Sequence, residues 1–128
     1  MKSVVICGSR RFKKEILGFA AKLKRAGVIV YLPFLNTDKR INELPENFKN
    51  FAFTGLTLHH FSLIRKAEAV FIYNKGGYIG TSTTLEIGFA AALSKPIYIL
   101  SEKDDEPTRR VLYDEVAKTP AALIKKLK

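Results

Sequence analysis

The sequence predicts an α/β fold in which one parallel sheet of about five strands is covered by helices on both faces. Short apolar segments rich in β-branched residues alternate with segments of helical periodicity, as in parallel strands joined by right-handed crossovers. The chain has 128 residues, of which 47% are hydrophobic, and this suits one domain with a substantial core. We therefore expect residues 1–128 to form a single three-layer domain.

The first part of the chain has two strands and one helix with well-marked ends. Ser3–Cys7 is short and apolar, as expected of a buried strand. Apolar residues then recur at helical spacing over Lys13–Ala26, and Gly27 ends this helix. Val28–Leu32 is predicted to be the second strand, because it is again apolar and is followed by Pro33.

The middle of the chain begins with a segment that is difficult to assign. Residues 34–55 mix turn-forming polar residues with phenylalanines, and a connection of this length is usually functional or partly helical. Leu56–Lys66 has helical spacing, and Ala69–Tyr73 is the third strand. Thr83–Leu93 is predicted to be a helix that is apolar on most sides and therefore buried.

The last third supplies the remaining strands and a capped helix. Ile97–Leu100 is the fourth strand, Ser101–Pro107 is an acidic connection with a flexible composition, and Val111–Val116 is the fifth strand. Thr119 is the expected N-cap of a final helix that has Pro120 at its first position. We expect the strand order 2-1-3-4-5, a flavodoxin- or Rossmann-like arrangement with its ligand site where strands one and three end.

Composition limits where the protein works and what it binds. No apolar run reaches the roughly 18–20 residues of a membrane-spanning helix, and no signal-peptide pattern opens the chain. Cys7 is the only cysteine, which excludes an intramolecular disulfide and a thiolate metal cluster. We expect a soluble, cytoplasmic protein with no membrane partner.

The chain is strongly basic, with a formal charge of +10. Its lysines and arginines lie mainly along the first predicted helix and at the C-terminal end, where they are typical of solvated helix faces. Attraction of small anionic substrates and nucleic-acid binding are the alternatives. The sequence lacks the alternation of basic and aromatic residues found in RNA-binding sheets, so nucleic acid is the least favoured partner.

The first candidate binding loop follows strand one directly. Gly8 allows a tight turn, Ser9 offers a hydroxyl and an N–H group, and Arg10 or Arg11 can bind a phosphate with a forked guanidinium. In the alternative interpretation Ser9 is an ordinary N-cap and both arginines point into solvent. The loop has neither the Walker A spacing nor the dinucleotide-binding glycine spacing.

The second candidate loop follows strand three and spans Lys75–Ser82. Its glycines, which include Gly80, let a ligand approach the backbone, and hydroxyls such as that of Ser82 can bind sugar or phosphate. Glu86 has two interpretations. It either closes a capping box onto the backbone N–H of Thr83, or it points into the crevice as a nucleophile.

The chain resembles the nucleoside 2-deoxyribosyltransferase family, and most of all its 2'-deoxynucleoside 5'-monophosphate N-glycosidase branch. The residues that carry the resemblance are Ile6–Arg10, Leu63–Val70, Glu86-Ile87-Gly88-Phe89-Ala90 and Ala92–Ile97. They span most of the chain, except for residues 34–55.

The resemblance implies a function and a set of site residues. Glu86 falls at the position of the family's nucleophile, a role that suits a carboxylate because the transition state resembles an oxocarbenium ion. Gly8, Ser9 and Arg10 fall where the monophosphate branch holds the 5'-phosphate, and Gly80 and Ser82 fall on the loop over the sugar and phosphate. The reaction that the resemblance implies needs no metal or organic cofactor, so we expect none. Its members are homo-oligomers, which implies a homodimer or higher homo-oligomer here.

Two positions depart from the family pattern. His60 occupies the position of the catalytic aspartate, and Val5 occupies that of a tyrosine. A histidine could act as acid or base beside Glu86, or His60 could be an ordinary residue on a helix surface. Glu68 is expected at the end of strand three opposite the crevice, and Cys7 is expected to be a buried strand residue.

These observations predict cleavage or transfer of the N-glycosidic bond of a (deoxy)nucleoside or nucleoside 5'-monophosphate, with Glu86 as nucleophile. The small-molecule partner is then a nucleoside or nucleotide. The alternative is a non-catalytic nucleotide-binding or sensing module of the same fold. Four phenylalanines could form either an oligomer interface or part of the core, and these are Phe48, Phe51, Phe53 and Phe61.

Overall fold

The computed structural model describes residues 2–36 and 39–128, and in these ranges five parallel strands form one sheet in the order β2-β1-β3-β4-β5. The strands are β1 (Ser3–Gly8), β2 (Ile29–Tyr31), β3 (Ala69–Tyr73), β4 (Ile97–Ile99) and β5 (Glu115–Val116). Each neighbouring pair is parallel. The predicted fold class and strand order are confirmed.

Helices cover both faces of the sheet. They are α1 (Lys13–Arg25), α2 (Lys39–Asn42), α3 (Glu46–Lys66), α4 (Thr81–Ala92), α5 (Pro107–Arg110) and α6 (Pro120–Leu127). Two 3₁₀ turns, Arg10–Phe12 and Lys75–Gly77, follow β1 and β3. The structure therefore has the expected three layers.

The alternation of side chains along β1 divides the core into two halves. Val4 and Ile6 face the half that α1 and α6 fill, while Val5 and Cys7 face the half beneath α3 and α4. Successive side chains of a strand point to opposite faces, so this central strand is apolar throughout. Thr119 caps α6 as predicted, because its hydroxyl accepts a hydrogen bond from the backbone N–H of Ala122 at 3.1 Å.

Helix α3 is longer than the sequence indicates, because it begins at Glu46 and takes in much of the unassigned segment. Residues 37 and 38 of that segment lie outside the described ranges. The sequence pattern did not indicate the first turns of this helix, because their phenylalanines do not mark a buried face. Phe51, for example, is 79% exposed. Phe61, in contrast, stacks on Phe89 with ring centroids 4.2 Å apart and belongs to the core.

Helix α4 is less buried than predicted. It begins at Thr81 rather than Thr83, and its outward face includes Leu85, which is 58% exposed. The run of small and apolar residues in this segment predicted a helix that is buried on most sides. In fact only one face of the helix packs on the sheet, through Ile87 and Ala90.

The predicted fifth strand over Val111–Val116 is wrong for most of its length. Helix α5 and a turn precede β5, which contains only Glu115–Val116. The cause is a cluster of polar contacts that the strand pattern could not indicate. The buried carboxylate of Asp104 accepts hydrogen bonds from Arg109 and Tyr113 and holds the segment as a compact turn. The connection Ser101–Pro107, which we expected to be flexible, is therefore held in place by the hydrogen bonds of Asp104.

Within the described residues, no helix is both long enough and apolar enough to cross a bilayer.

Candidate active site

A cavity of about 260 Å³ lies at the carboxyl edge of the sheet, where β1 and β3 end. This is the edge at which open α/β sheets bind ligands. The cavity brings together all seven residues that the sequence singled out, namely Gly8, Ser9, Arg10, His60, Gly80, Ser82 and Glu86.

The loop after β1 forms one wall of the cavity. The hydroxyl of Ser9 accepts a hydrogen bond from the backbone N–H of Arg11 at 3.2 Å and caps the following 3₁₀ turn. The N-cap interpretation of Ser9 is therefore right, and Ser9 and Arg10 also line the cavity. Arg11 points elsewhere, because its guanidinium lies 3.6 Å from the ring centre of Tyr78. This contact joins the loop after β1 to the loop after β3.

The loop after β3 also lines the cavity and leads into α4 at Thr81. Gly80 is the N-cap residue, and both the backbone N–H and the hydroxyl of Thr84 donate to its carbonyl at 3.0 Å. Thr83 thus lies inside the helix, and the capping box between Thr83 and Glu86 is wrong. Because α4 begins two residues earlier than predicted, Glu86 lies on the second turn and its side chain lines the cavity.

The two adjacent glycines of the second loop contribute to the packing of the fold and do not line the cavity. Gly76 and Gly77 have φ angles of 65° and 87°, and neither lines the cavity. A Cβ atom on Gly77 would lie 2.7 Å from the carbonyl oxygen of Lys103, whereas one on Gly76 would meet nothing within 4 Å. The expected close approach at Gly77 is therefore to the backbone of residue 103.

This pair of glycines gives a matched test of that packing. Gly76→Ala is expected to cost about 1 kcal/mol of unfolding free energy, because it only forces alanine into the left-handed region. Gly77→Ala adds a collision with rigid backbone and is expected to cost about 2–3 kcal/mol. Urea unfolding of both variants measures the difference, and equal losses would contradict the assigned contact.

His60, Cys7 and Glu86 form a compact cluster at the floor of the cavity. The Nε2 atom of His60 lies 3.3 Å from Cys7 Sγ and 3.2 Å from Glu86 Oε2. His60 is only 5% exposed, so its interpretation as a helix-surface residue is wrong. Cys7 is fully buried, as predicted. Among the described residues, no group accepts from or donates to His60 Nδ1, an arrangement that costs about 1–3 kcal/mol.

Burial dominates the electrostatics of this cluster. It raises the pKa of Glu86 to about 8. It also lowers the pKa of His60 to about 4, with a smaller contribution from neighbouring His59. Burial, and then the charge of Glu86, raise the pKa of Cys7. Near neutral pH the three groups are therefore mainly uncharged in the free protein, with the proton held by Glu86 rather than His60. Their three ligand atoms, all within 4.8 Å of one another, could also hold a metal ion.

Val5 and Glu68, which the sequence analysis also discussed, lie away from the cavity lining. Val5 is fully buried in the core beneath α3 and α4, where it offers no polar group. Glu68 lies at the amino end of β3, with its carboxylate 3.7 Å from the amine of Lys2. As predicted, Glu68 is at the end of the strand opposite the cavity.

Sequence reasoning missed the apolar wall of the cavity. Pro33 and Phe34 follow β2, while Phe53 and Leu56 lie on α3, and all four line the cavity. Phe34 and Phe53 are 44% and 41% exposed, so both rings remain accessible. The position of Phe34 just after β2 was the available signal, since the ends of parallel strands meet at one edge of the sheet.

The sequence also gave no sign of a polar link between α5 and the second loop. Arg109 donates two hydrogen bonds to Asp104, at 2.9 and 2.8 Å, and its Nη1 lies 3.3 Å from the hydroxyl of Thr84. Since the same hydroxyl donates to the carbonyl of Gly80, the link reaches the edge of the cavity. It connects the chain beyond β4 to the start of α4.

Together the sheet order and the cavity at the ends of β1 and β3 define a Rossmann-like α/β protein with a cavity at the switch point. Several solved structures share this fold, including the following three. A conserved protein from Enterococcus faecalis V583 has a TM-score of 0.63 at 13% identity, over 99% of this chain and 97% of that one. The CMP N-glycosidase BcmB from Clostridium botulinum has a TM-score of 0.61 at 18% identity, over 98% and 97%.

The third structure is a 2-deoxyribosyltransferase from Bacillus psychrosaccharolyticus, with a TM-score of 0.62 at 19% identity over 94% of this chain and 89% of that one. No protein-family model and no curated protein matches the sequence. The fold that the sequence resemblance implies is therefore confirmed, since its neighbours include a deoxyribosyltransferase and an N-glycosidase.

Proposed function

We propose that this protein is an enzyme of the nucleoside 2-deoxyribosyltransferase-like group that breaks the N-glycosidic bond of a nucleoside 5'-monophosphate or (deoxy)nucleoside. The observation that carries the proposal is the Glu86 carboxyl group, which lines the cavity 3.2 Å from the Nε2 atom of His60. A carboxylate paired with a proton-exchanging group is what displacement at an anomeric carbon needs. The two fold neighbours of known activity act on the same bond type.

The cavity suits a nucleotide because its two sides differ in chemistry. Ser9, Arg10 and Ser82 supply hydroxyls and a guanidinium on one side, where a phosphate would lie. Phe34 and Phe53 supply accessible rings on the other side, where a base would lie. Glu86 and His60 also line the cavity, and in this placement the sugar would lie beside them.

The reaction that we propose moves one proton between two residues. Glu86 transfers its proton to Nε2 of His60 as its oxygen attacks the anomeric carbon of the sugar. In the free protein this transfer is uphill by about 5 kcal/mol, because the pKa of Glu86, about 8, lies above that of His60, about 4. The carbon–nitrogen bond breaks, and the imidazolium of His60 gives the proton to the departing base. A glycosyl ester on Glu86 results. Attack by water on the ester gives hydrolysis, whereas attack by a second base gives transfer, and in both His60 removes the proton of the attacking group.

Arg10 is expected to distinguish phosphorylated from unphosphorylated substrates. Arg10→Ala should raise KM for nucleoside 5'-monophosphates roughly 10–100-fold, the effect of losing one charge-assisted contact, and should leave nucleosides nearly unchanged. Arg11→Ala is the matched control, because Arg11 contacts Tyr78 and does not line the cavity. Steady-state assays with a nucleoside and its monophosphate test the assignment, and equal losses for both substrates in Arg10→Ala would contradict it.

A non-catalytic nucleotide-binding or sensing module is the second candidate. It is favoured by the departures at His60 and Val5, where the resemblance expects an aspartate and a tyrosine. Chromatography of nucleoside monophosphates after incubation with the protein separates the two candidates. Release of free base supports the enzyme, while tight binding without base release supports the module.

We also propose that the protein is a homodimer or higher homo-oligomer. Large apolar side chains stay exposed on the outer surfaces of α3 and α4, with Phe48, Phe51, Leu58 and Leu85 all more than half exposed in the isolated chain. Such a surface is typical of a protein–protein contact. Sedimentation equilibrium should give a mass at least twice the 14.4 kDa of one chain. A single-chain mass at micromolar concentration would contradict this proposal.

A further inference from the structure

Three different metal-ligating atoms converge on one point at the cavity floor. They are the thiol sulfur of Cys7 from β1, Nε2 of His60 from α3 and a carboxylate oxygen of Glu86 from α4. All three atoms lie within 4.8 Å of one another, and their side chains are almost fully buried. Three separate elements of the fold thus present a thiol, an imidazole and a carboxyl group to one small volume.

Two of the three distances between the ligand atoms are close to those of a tetrahedral metal site. With bonds of about 2.3 Å to sulfur and about 2.0–2.1 Å to nitrogen and oxygen, tetrahedral angles separate sulfur from nitrogen by about 3.6 Å and nitrogen from oxygen by about 3.3 Å. The corresponding distances here are 3.3 Å and 3.2 Å. The third distance, from Cys7 Sγ to the Glu86 oxygen, is within 4.8 Å, compared with about 3.6 Å around a tetrahedral ion, and rotation of the Glu86 side chain would shorten it.

Hydrogen bonds alone do not satisfy this cluster well. Nε2 of a neutral imidazole can form a hydrogen bond in only one direction, in the plane of the ring. It either donates a hydrogen or accepts through its lone pair along that direction. Cys7 Sγ and Glu86 Oε2 both lie within 3.3 Å of that nitrogen, so a single direction must serve two neighbours. A cation between the three atoms would instead meet one lone pair from each.

We propose that Cys7, His60 and Glu86 form a site for a single divalent transition-metal ion of the zinc class. Thiolate and imidazole favour Zn²⁺ or Co²⁺ over Mg²⁺ or Ca²⁺, which prefer oxygen ligands. The fourth ligand position faces the cavity, since Glu86 and His60 line it, and water or a substrate oxygen can fill it.

The charge balance supports this choice of ion. Binding releases one proton from the Cys7 thiol and one from the Glu86 carboxyl group, while His60 stays neutral. A divalent ion with one thiolate, one carboxylate and one imidazole then has no net charge. A neutral complex avoids most of the penalty for placing charge in a buried site. Because His60 Nδ1 has no acceptor among the described residues, we expect affinity in the micromolar range.

The metal would regulate the site rather than drive the reaction of the proposed function, and this consequence rests on that function. A bound ion occupies the Glu86 oxygen and the His60 nitrogen that displacement and proton transfer require. Base release should therefore be inhibited by Zn²⁺ and restored by a chelator.

The test of the site itself needs no substrate. Untagged, chelator-treated full-length protein is titrated with Co²⁺, and absorption is followed in the near ultraviolet, where thiolate-to-cobalt charge transfer occurs, and in the visible region, where tetrahedral cobalt absorbs. We expect one ion per chain and both absorptions, and Zn²⁺ should displace the cobalt. Cys7→Ser should remove the charge-transfer band, and both Cys7→Ser and His60→Asn should weaken affinity by about tenfold or more.

His59→Asn is the matched control, because His59 is the exposed neighbour of His60 on the same helix. It should bind cobalt like the unchanged protein. The proposal is overturned if the protein shows no charge-transfer band, if Cys7→Ser keeps the band, or if His59→Asn loses as much affinity as His60→Asn. Should Cys7→Ser fail to fold, Glu86→Gln at the cavity surface must show the same loss of affinity. A protein that binds cobalt but releases no base keeps the metal site and rejects the enzyme.

Discussion

Glu86→Gln is expected to lower kcat/KM for base release by about 10³-fold or more, equivalent to about 4 kcal/mol of transition-state stabilisation. The amide of glutamine has the size and hydrogen-bonding capacity of the carboxyl group, but it does not attack an anomeric carbon. Steady-state measurement of free base from a nucleoside 5'-monophosphate gives the ratio. Nucleotide affinity should change little, because the phosphate and base contacts remain.

Glu68→Gln is the control for this variant. Glu68 lies at the opposite end of β3 with an exposed ion pair to Lys2, and its loss should leave turnover unchanged. Glu86→Gln activity within about tenfold of the unchanged protein would contradict the nucleophilic role, because general effects of burial and hydrogen bonding reach that size. Absence of base release from the unchanged protein, with nucleotide affinity intact, would instead favour the binding module.

Asp104→Asn is expected to reduce the free energy of unfolding by about 2–3 kcal/mol at neutral pH. The carboxylate is buried and accepts hydrogen bonds from Arg109, from the hydroxyl of Tyr113 and from the backbone N–H of Glu106. In asparagine an NH₂ group replaces one of the two acceptor oxygens, and this group faces a hydrogen-bond donor. The substitution also removes the negative charge that pairs with Arg109. Urea unfolding of the variant measures the loss.

The same carboxylate should make stability depend on acid pH. Hydrogen bonding from Arg109 is the main cause that lowers the pKa of Asp104 to about 2, below the value of about 3.9 for an unfolded chain. Its contribution is therefore complete above about pH 4 and is lost as the pH falls towards about 2. The unchanged protein should lose stability over this range more steeply than Asp104→Asn. Asp105→Asn, at the exposed neighbouring residue, should follow the unchanged protein, and parallel curves for all three would contradict the assigned pKa.

The parts of the fold that were predictable have strong local signals. β1 and β3 are continuous apolar runs, and Gly27 and Thr119 mark helix ends with residues whose conformations or side chains suit those places. The parallel order then places the residues after β1 and β3 at one edge. This is why the sequence alone predicts that Ser9, Arg10, Gly80 and Ser82 line one cavity.

The predictions that were wrong concern features that depend on contacts the local sequence pattern does not encode. The direction of the Glu86 side chain depends on where α4 begins, and a four-residue match to a capping box did not determine that start correctly. His60 lies 53 residues from Cys7 in the chain, so their contact emerges only when α3 packs over β1. Asp104 shortened the fifth strand through side-chain hydrogen bonds to Arg109 and Tyr113, which have no periodic signature. Local patterns do not contain that information.

Intact-protein mass spectrometry of a rapidly quenched reaction tests the proposed chemistry most directly. With a nucleoside 5'-monophosphate whose base is released, we predict a transient mass increase equal to one sugar phosphate, which peptide mapping should locate on Glu86. Release of base without any adduct on Glu86, or an adduct on a different residue, would contradict the role proposed for this carboxyl group.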